Sequence, residues 1–211
     1  MTPRRSGRQK KFKHKPRKSR KLPLALGLLT IIVLVAVPVY IFSMNSQPSG
    51  NKVLLKTSVG DITIQLRDDR PITTSNFKNL VQQGVYDGTI FHRVIYGFVV
   101  QGGDPTGTGY GDPSIPNIQD ELDDDNQNNY GTVAMAKKPD PESETGKSLP
   151  NTGSSQFFIN LADNHGLDAE YSVFGTVISG MNVVAEIANV ATDSNYKPVI
   201  DVTLIDAEII S

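Results

Sequence analysis

A chain of 211 residues has room for one medium domain with appendages, and its formal net charge of −1 conceals an uneven distribution. Met1 to Lys21 carry eleven Lys/Arg and no Asp/Glu, leaving ten Lys/Arg against all 22 Asp/Glu for the remainder. The acidic body is a poor partner for nucleic acid, the absence of cysteine excludes disulfides and zinc–thiolate sites, and three histidines without an HExxH pattern argue against a catalytic zinc.

In chain order, the basic head meets LPLALGLLTIIVLVAVPVYIF, Leu22 to Phe42, which holds no charge. At about 1.5 Å per residue this segment reaches roughly 30 Å, enough to cross a hydrocarbon core. A cleaved secretory signal has a shorter apolar region, and Val35-Ala36-Val37 before Pro38 is a poor cleavage site. The reading is therefore a cytoplasmic tail over 1–21, a transmembrane helix over 22–42 and a flexible linker over 43–51. The positive-inside rule then puts the domain at 52–211 on the outer face of a cell membrane. A nucleic-acid-binding arm is the other use of such a head; abutting an apolar span, the charges serve more economically as a topology signal.

From Lys52 the texture changes to short alternating segments. Val53–Thr57 and Asp61–Leu66 flank Ser58-Val59-Gly60 as a hairpin. Pro71 and the hydroxyls of Thr73, Thr74 and Ser75 open a helix carrying Phe77, Leu80 and Val81, which Gly84 stops. Thr89–Val94, Phe98–Gln101, Thr132–Ala136, Ser155–Leu161, Ser172–Val177 and Val202–Ile210 read as strands, and Asn182–Asn189 as a second helix. About eight strands and two helices predict a mostly antiparallel barrel or sandwich.

Three clusters carry candidate chemistry. In Phe91 to Asp104, FHRVIYGFVVQGGD, strand alternation puts Phe91, Arg93 and Ile95 on one face. In Gly153 to Leu161, GSSQFFINL, Gln156 and Phe158 share a face and Phe157 points to the core. The third is Leu167-Asp168 with Tyr171, running into Val173-Phe174-Gly175.

Together with TVAMA between the first two, these motifs resemble the cyclophilin family of peptidyl-prolyl cis/trans isomerases, over roughly Lys52 to Ile210. The resemblance implies a closed eight-stranded antiparallel barrel capped by two helices, with the active face outside the barrel. It implies that Arg93 is catalytic with Gln101 and Phe98 beside it. Val99, Phe98, Phe158 and Leu167 would line a proline pocket, and Ala136, Lys137, Gln156 and Tyr171 would face the substrate peptide. It implies proline-containing polypeptides as substrates, no metal, no cofactor, no nucleic acid, and a monomer. Tyr171 stands where many relatives carry histidine, and the tryptophan many place just before the Leu167 position is missing. A non-catalytic peptide-binding or chaperone module on the same fold is the alternative.

The remaining features have plainer readings. His92 is expected as a hydrogen-bonded structural histidine facing away from Arg93. The glycine-rich Gly102–Gly111 stretch lacks the following helix of a phosphate loop. The acidic residues Asp120, Glu121, Asp123, Asp124 and Asp125 lack the EF-hand order and read as a solvated loop. The long segment Pro139 to Asn151 frames the groove.

Overall fold

The hairpin at the start of the domain shows how alternation becomes architecture. Strand β1 (Lys52–Thr57) buries Val53, Leu55 and Thr57, and β2 (Gly60–Leu66) buries Ile62, Ile64 and Leu66. Their register sets Val53 opposite Ile64 and Leu55 opposite Ile62, so one face of the pair is continuously apolar. The computed structural model describes residues 50–211. The expected tail, transmembrane helix and residues 43–49 of the linker lie outside the described residues. Among the described residues no helix is long and apolar enough to cross a membrane.

The remaining strands are β3 (Thr89–Ile90), β4 (Arg93–Ile95), β5 (Val99–Gly102), β6 (Thr132–Met135), β7 (Phe157–Asn160), β8 (Val173–Ser179) and β9 (Thr203–Ile210). They form one antiparallel sheet in the order β3-β9-β1-β2-β8-β6-β7-β5-β4. The expected closed eight-stranded barrel is thus corrected to a curled sheet of nine strands whose ladder ends at β3 and β4. The extra strand comes from Thr89–Val94, which is two strands with a break at Phe91-His92. Phe91 turns into the core at 1% exposure while Arg93 stays partly exposed. The shared face expected for Phe91 and Arg93 therefore does not exist, because alternation does not carry through a break.

Helices α1 (Pro71–Gln82) and α2 (Met181–Ala188) pack apolar stripes onto the sheet. Phe77 of α1 sits among Tyr86, Phe157 and Phe174, with ring centroids 5.0, 5.5 and 4.9 Å away. Burying large side chains of this kind contributes about 1.5–3 kcal/mol each. Helix α2 contributes Val183, Val184 and Ile187 and begins from Gly180 at φ 90°, where a Cβ would lie 2.2 Å from the Asp61 carbonyl.

Two local expectations change. The α1 hydroxyls do not cap their own helix; Glu121 does, accepting from the Ile72 and Thr73 amides and the Thr73 hydroxyl at 2.7–3.0 Å. A carboxylate there also meets the positive end of the helix dipole. Its neighbours are equally engaged, since Asp123 pairs with buried Arg70 and Asp120 with Lys137. The acidic run is a structural brace. At the other boundary, the last two linker residues belong to the domain. Asn51 donates to the Leu66 carbonyl at 3.0 Å and accepts from the Leu66 amide at 2.8 Å. Gly50 is buried, so close to Ile210 that a Cβ would lie 2.2 Å from its oxygen.

Candidate active site

Register assembles the site. Arg93 on β4 lies opposite Gln101 on β5, Gln101 opposite Phe158 on β7, Phe158 opposite Ala134 on β6, and Ala134 opposite Val173 on β8. One transverse row therefore crosses five strands on the outer face of the sheet. Alternation sends Val100, Phe157 and Ile159 into the core and leaves Val99, Gln101 and Phe158 on the other side. There Val99, Ala134, Ala136, Phe158 and Val173 form a second, smaller apolar cluster, against which Phe98, Leu167 and Tyr171 pack.

This cluster floors a niche of about 240 Å³ lined by Arg93, Phe98, Val99, Gln101, Ala136, Lys137, Gly146, Phe158, Leu167 and Tyr171. Nine of the ten residues expected at the site line it, and the tenth, Gln156, lines an adjoining cavity of about 500 Å³. The two cavities share Arg93, Gln101, Ala136, Lys137, Gly146 and Tyr171, making a continuous groove.

The polar wall is a directed chain. Arg93 Nη1 donates to Gln101 Oε1 at 3.2 Å, Gln101 Nε2 donates to Gln156 Oε1 at 2.9 Å, and Gln156 Nε2 donates to the Gly109 carbonyl at 3.0 Å. The Gly109 loop is fixed by fully buried Asp104, whose carboxylate accepts from the Thr106, Gly109 and Gly111 amides. Burial raises the Asp104 pKa, but these bonds more than offset it and hold the carboxyl below its ordinary value. Gly102–Gly111 is thus a carboxylate-pinned turn that orients a glutamine chain.

Arg93 itself has no carboxylate partner among the described residues. Burial pulls its pKa down. An arginine nevertheless stays charged at any ordinary pH. Two other buried cations are paired: Lys137 with Asp120 at 2.8 Å, and Arg70 with Asp69 and Asp123. Partly burying a charge without a counter-ion costs stability.

Tyr171 ties the far wall together. Its ring meets Phe158 edge-on at 5.4 Å, Lys137 Nζ lies 5.6 Å over it, and its hydroxyl is 2.5 Å from Ser148 Oγ. Ser148 comes from the long segment that follows Lys138. That segment is a strap, bridged at Pro139 and Ser148, with the Ser148 amide donating to Glu170 at 3.1 Å. It brings Gly146 and Ser148 to the groove, two residues that motif reasoning did not find. His92 is buried, as a structural histidine should be, at 7% exposure, with Gln156 and Asp104 as its polar neighbours, though neither ring nitrogen reaches full hydrogen-bond geometry. Burial pushes its pKa below the ordinary imidazole value.

A curled antiparallel sheet with an arginine–glutamine wall over an outward apolar niche fits the family that the sequence motifs resemble, and comparison with known proteins agrees. Residues 52–209 match the family model "Cyclophilin type peptidyl-prolyl cis-trans isomerase/CLD". The peptidyl-prolyl cis-trans isomerase ppi1 of Schizosaccharomyces pombe is 43% identical over 159 residues, 74% of this chain and 96% of its own. The human peptidyl-prolyl cis-trans isomerase-like 1 is 41% identical over 159 residues, 74% of this chain and 90% of its own. A crystal structure of a Cryptosporidium parvum cyclophilin-type isomerase superposes with a TM-score of 0.70 at 34% identity, covering 77% of this chain and 98% of that one. The same protein in the presence of the dipeptide Ala-Pro gives 0.69 at 34% identity, covering 76% and 99%. The chain belongs to the cyclophilin-type peptidyl-prolyl cis-trans isomerases, a family of enzymes.

Proposed function

We propose that this groove accelerates rotation about X–Pro bonds in polypeptides and that Arg93 is the group that lowers the barrier. The observation that carries the reading is a guanidinium without a counter-ion at the rim of an apolar niche. Twisting the prolyl bond breaks amide resonance, which costs about 18–20 kcal/mol, and makes or cuts no covalent bond. The reaction therefore calls for no nucleophile, metal or cofactor. As the amide twists, the prolyl nitrogen loses conjugation and gains a lone pair that the planar amide lacks. A positioned N–H of Arg93 donates more strongly to that nitrogen in the twisted state than in the planar one, and only such differential binding raises turnover.

The other residues position. Phe98, Val99, Phe158 and Leu167 hold the pyrrolidine ring, while Ala136, Lys137, Gln156 and Tyr171 contact the peptide running through the adjoining cavity. Gln101 occupies one guanidinium N–H and leaves the others free to face the substrate. A protease-coupled assay of the full chain with prolyl peptides tests this reading; binding without turnover would leave a peptide-binding module instead.

The place of action is part of the proposal: secreted or surface polypeptides outside a cell membrane, with the chain held as a monomer by its apolar segment. What supports it is the uncharged run from Leu22 to Phe42 behind eleven basic residues. Protease treatment of intact cells tests it. Digestion of the domain without lysis is expected, and digestion only after lysis would reverse the orientation.

A further inference from the structure

Resting on the isomerase reading, we infer that Tyr196 is a substrate-binding residue, a shelf for an apolar side chain flanking the proline on the side of Arg93 away from Gln101. β4 pairs with β5 along one edge only, and at its other edge the Val94 amide donates to the Tyr196 carbonyl at 2.8 Å. Arg93 is therefore flanked by Gln101 on one side and by the Tyr196 turn on the other.

The turn is built to keep that tyrosine in an unfavourable conformation. Asp193 Oδ1 accepts from the Asn195 and Lys197 amides at 2.8 and 3.0 Å, and the Tyr196 amide donates to the Asp193 carbonyl at 3.1 Å. Tyr196 is thereby held at φ 63°. Among the described residues the other non-glycine at positive φ is Asn151, a residue type that tolerates it. A bulky side chain there is strained, and strain of this kind gathers at working sites. Tyr196 is only half covered, at 51% exposure, and its loop also exposes Val199 and Ile200. A tyrosine that costs the fold and stays in solvent beside the proposed catalytic group fits a hydrophobic or aromatic segment of the polypeptide already in the groove.

The test compares the full chain with Tyr196→Gly and Tyr196→Asn, using prolyl peptides that carry Phe or Gly on each side of the proline. Isomerase kinetics, peptide affinity and Tm are measured together. The expected result is a rise in KM and Kd of about fivefold or more for a Phe-flanked peptide. Gly-flanked peptides, kcat and Tm should hold, or Tm should rise as the strain is released. Equal loss on Phe- and Gly-flanked peptides, or a fall in kcat tracking a fall in Tm, would reduce Tyr196 to a structural residue. Unchanged affinity in an active enzyme overturns the shelf and leaves the isomerase reading intact. A parent chain that binds these peptides without turnover overturns that reading, and the affinities then decide the shelf. A parent that neither binds nor turns over overturns both.

Discussion

Replacing Gln156 with leucine probes the polar chain without touching Arg93. Gln156 Oε1 is the acceptor that fixes the Gln101 amide, and Gln101 Oε1 in turn accepts from Arg93. Without that acceptor the Gln101 amide is free to rotate and its oxygen leaves the guanidinium part of the time. Losing one neutral hydrogen bond is worth about 0.5–1.5 kcal/mol, so kcat/KM should fall roughly two- to tenfold. Gln101→Leu removes the bond to the charged group directly, worth about 1.5–3 kcal/mol, and should cost roughly ten- to a hundredfold. Both effects pass through the same guanidinium. In an Arg93→Ala background the kcat loss from either glutamine substitution should therefore shrink, leaving for Gln156→Leu only the KM change of its own peptide contact, a coupling read by a double-mutant cycle in the protease-coupled assay. Losses in kcat that multiply independently of Arg93 would refute the relay and leave the glutamines as peptide contacts alone.

Three further outcomes follow from the packing. Glu121→Ala strips the α1 cap and should lower stability by about 1–2 kcal/mol, seen as a Tm fall of roughly 2–8 °C, with turnover at 25 °C retained; an unchanged Tm would remove Glu121 from the fold's support. His92 is buried and its pKa is depressed by that burial, so the fold favours its neutral form. That contribution is complete above the ordinary imidazole value near 6.5 and is lost as pH falls through the lower folded value. Denaturant unfolding from pH 7 to pH 5 should show falling stability, with a slope that flattens in His92→Phe; an unaltered slope would assign the loss to other groups. Phe158→Ala opens the niche from below and should raise KM for prolyl peptides by about tenfold or more with the sheet intact by circular dichroism; unaffected KM would place the proline elsewhere.

The sequence carried the strands whose alternation was uninterrupted and the site residues that lie within them. Alternation put Gln156 and Phe158 on one face, and the resemblance assigned Val99 and Gln101, whose strand also turns them away from the core. Resemblance supplied what alternation could not, namely that Arg93 and Leu167 meet across strands. Phe91 was misread because a strand break is a tertiary event, forced where the curled sheet ends. Glu121 was misread for a related reason: its helix lies 48 residues earlier in the chain, and nothing local announces a cap delivered from that distance. Gly146 and Ser148 reach the groove by strap geometry, for which no short motif exists.

Turnover of prolyl peptides by the full chain and by its Arg93→Ala variant tests the central claim most directly. A guanidinium that bonds the prolyl nitrogen only in the twisted state should be missed in kcat, with a loss of at least tenfold, about 1.4 kcal/mol, and with peptide affinity and Tm nearly unchanged. An Arg93→Ala protein that folds, binds and turns over like its parent would contradict the mechanism.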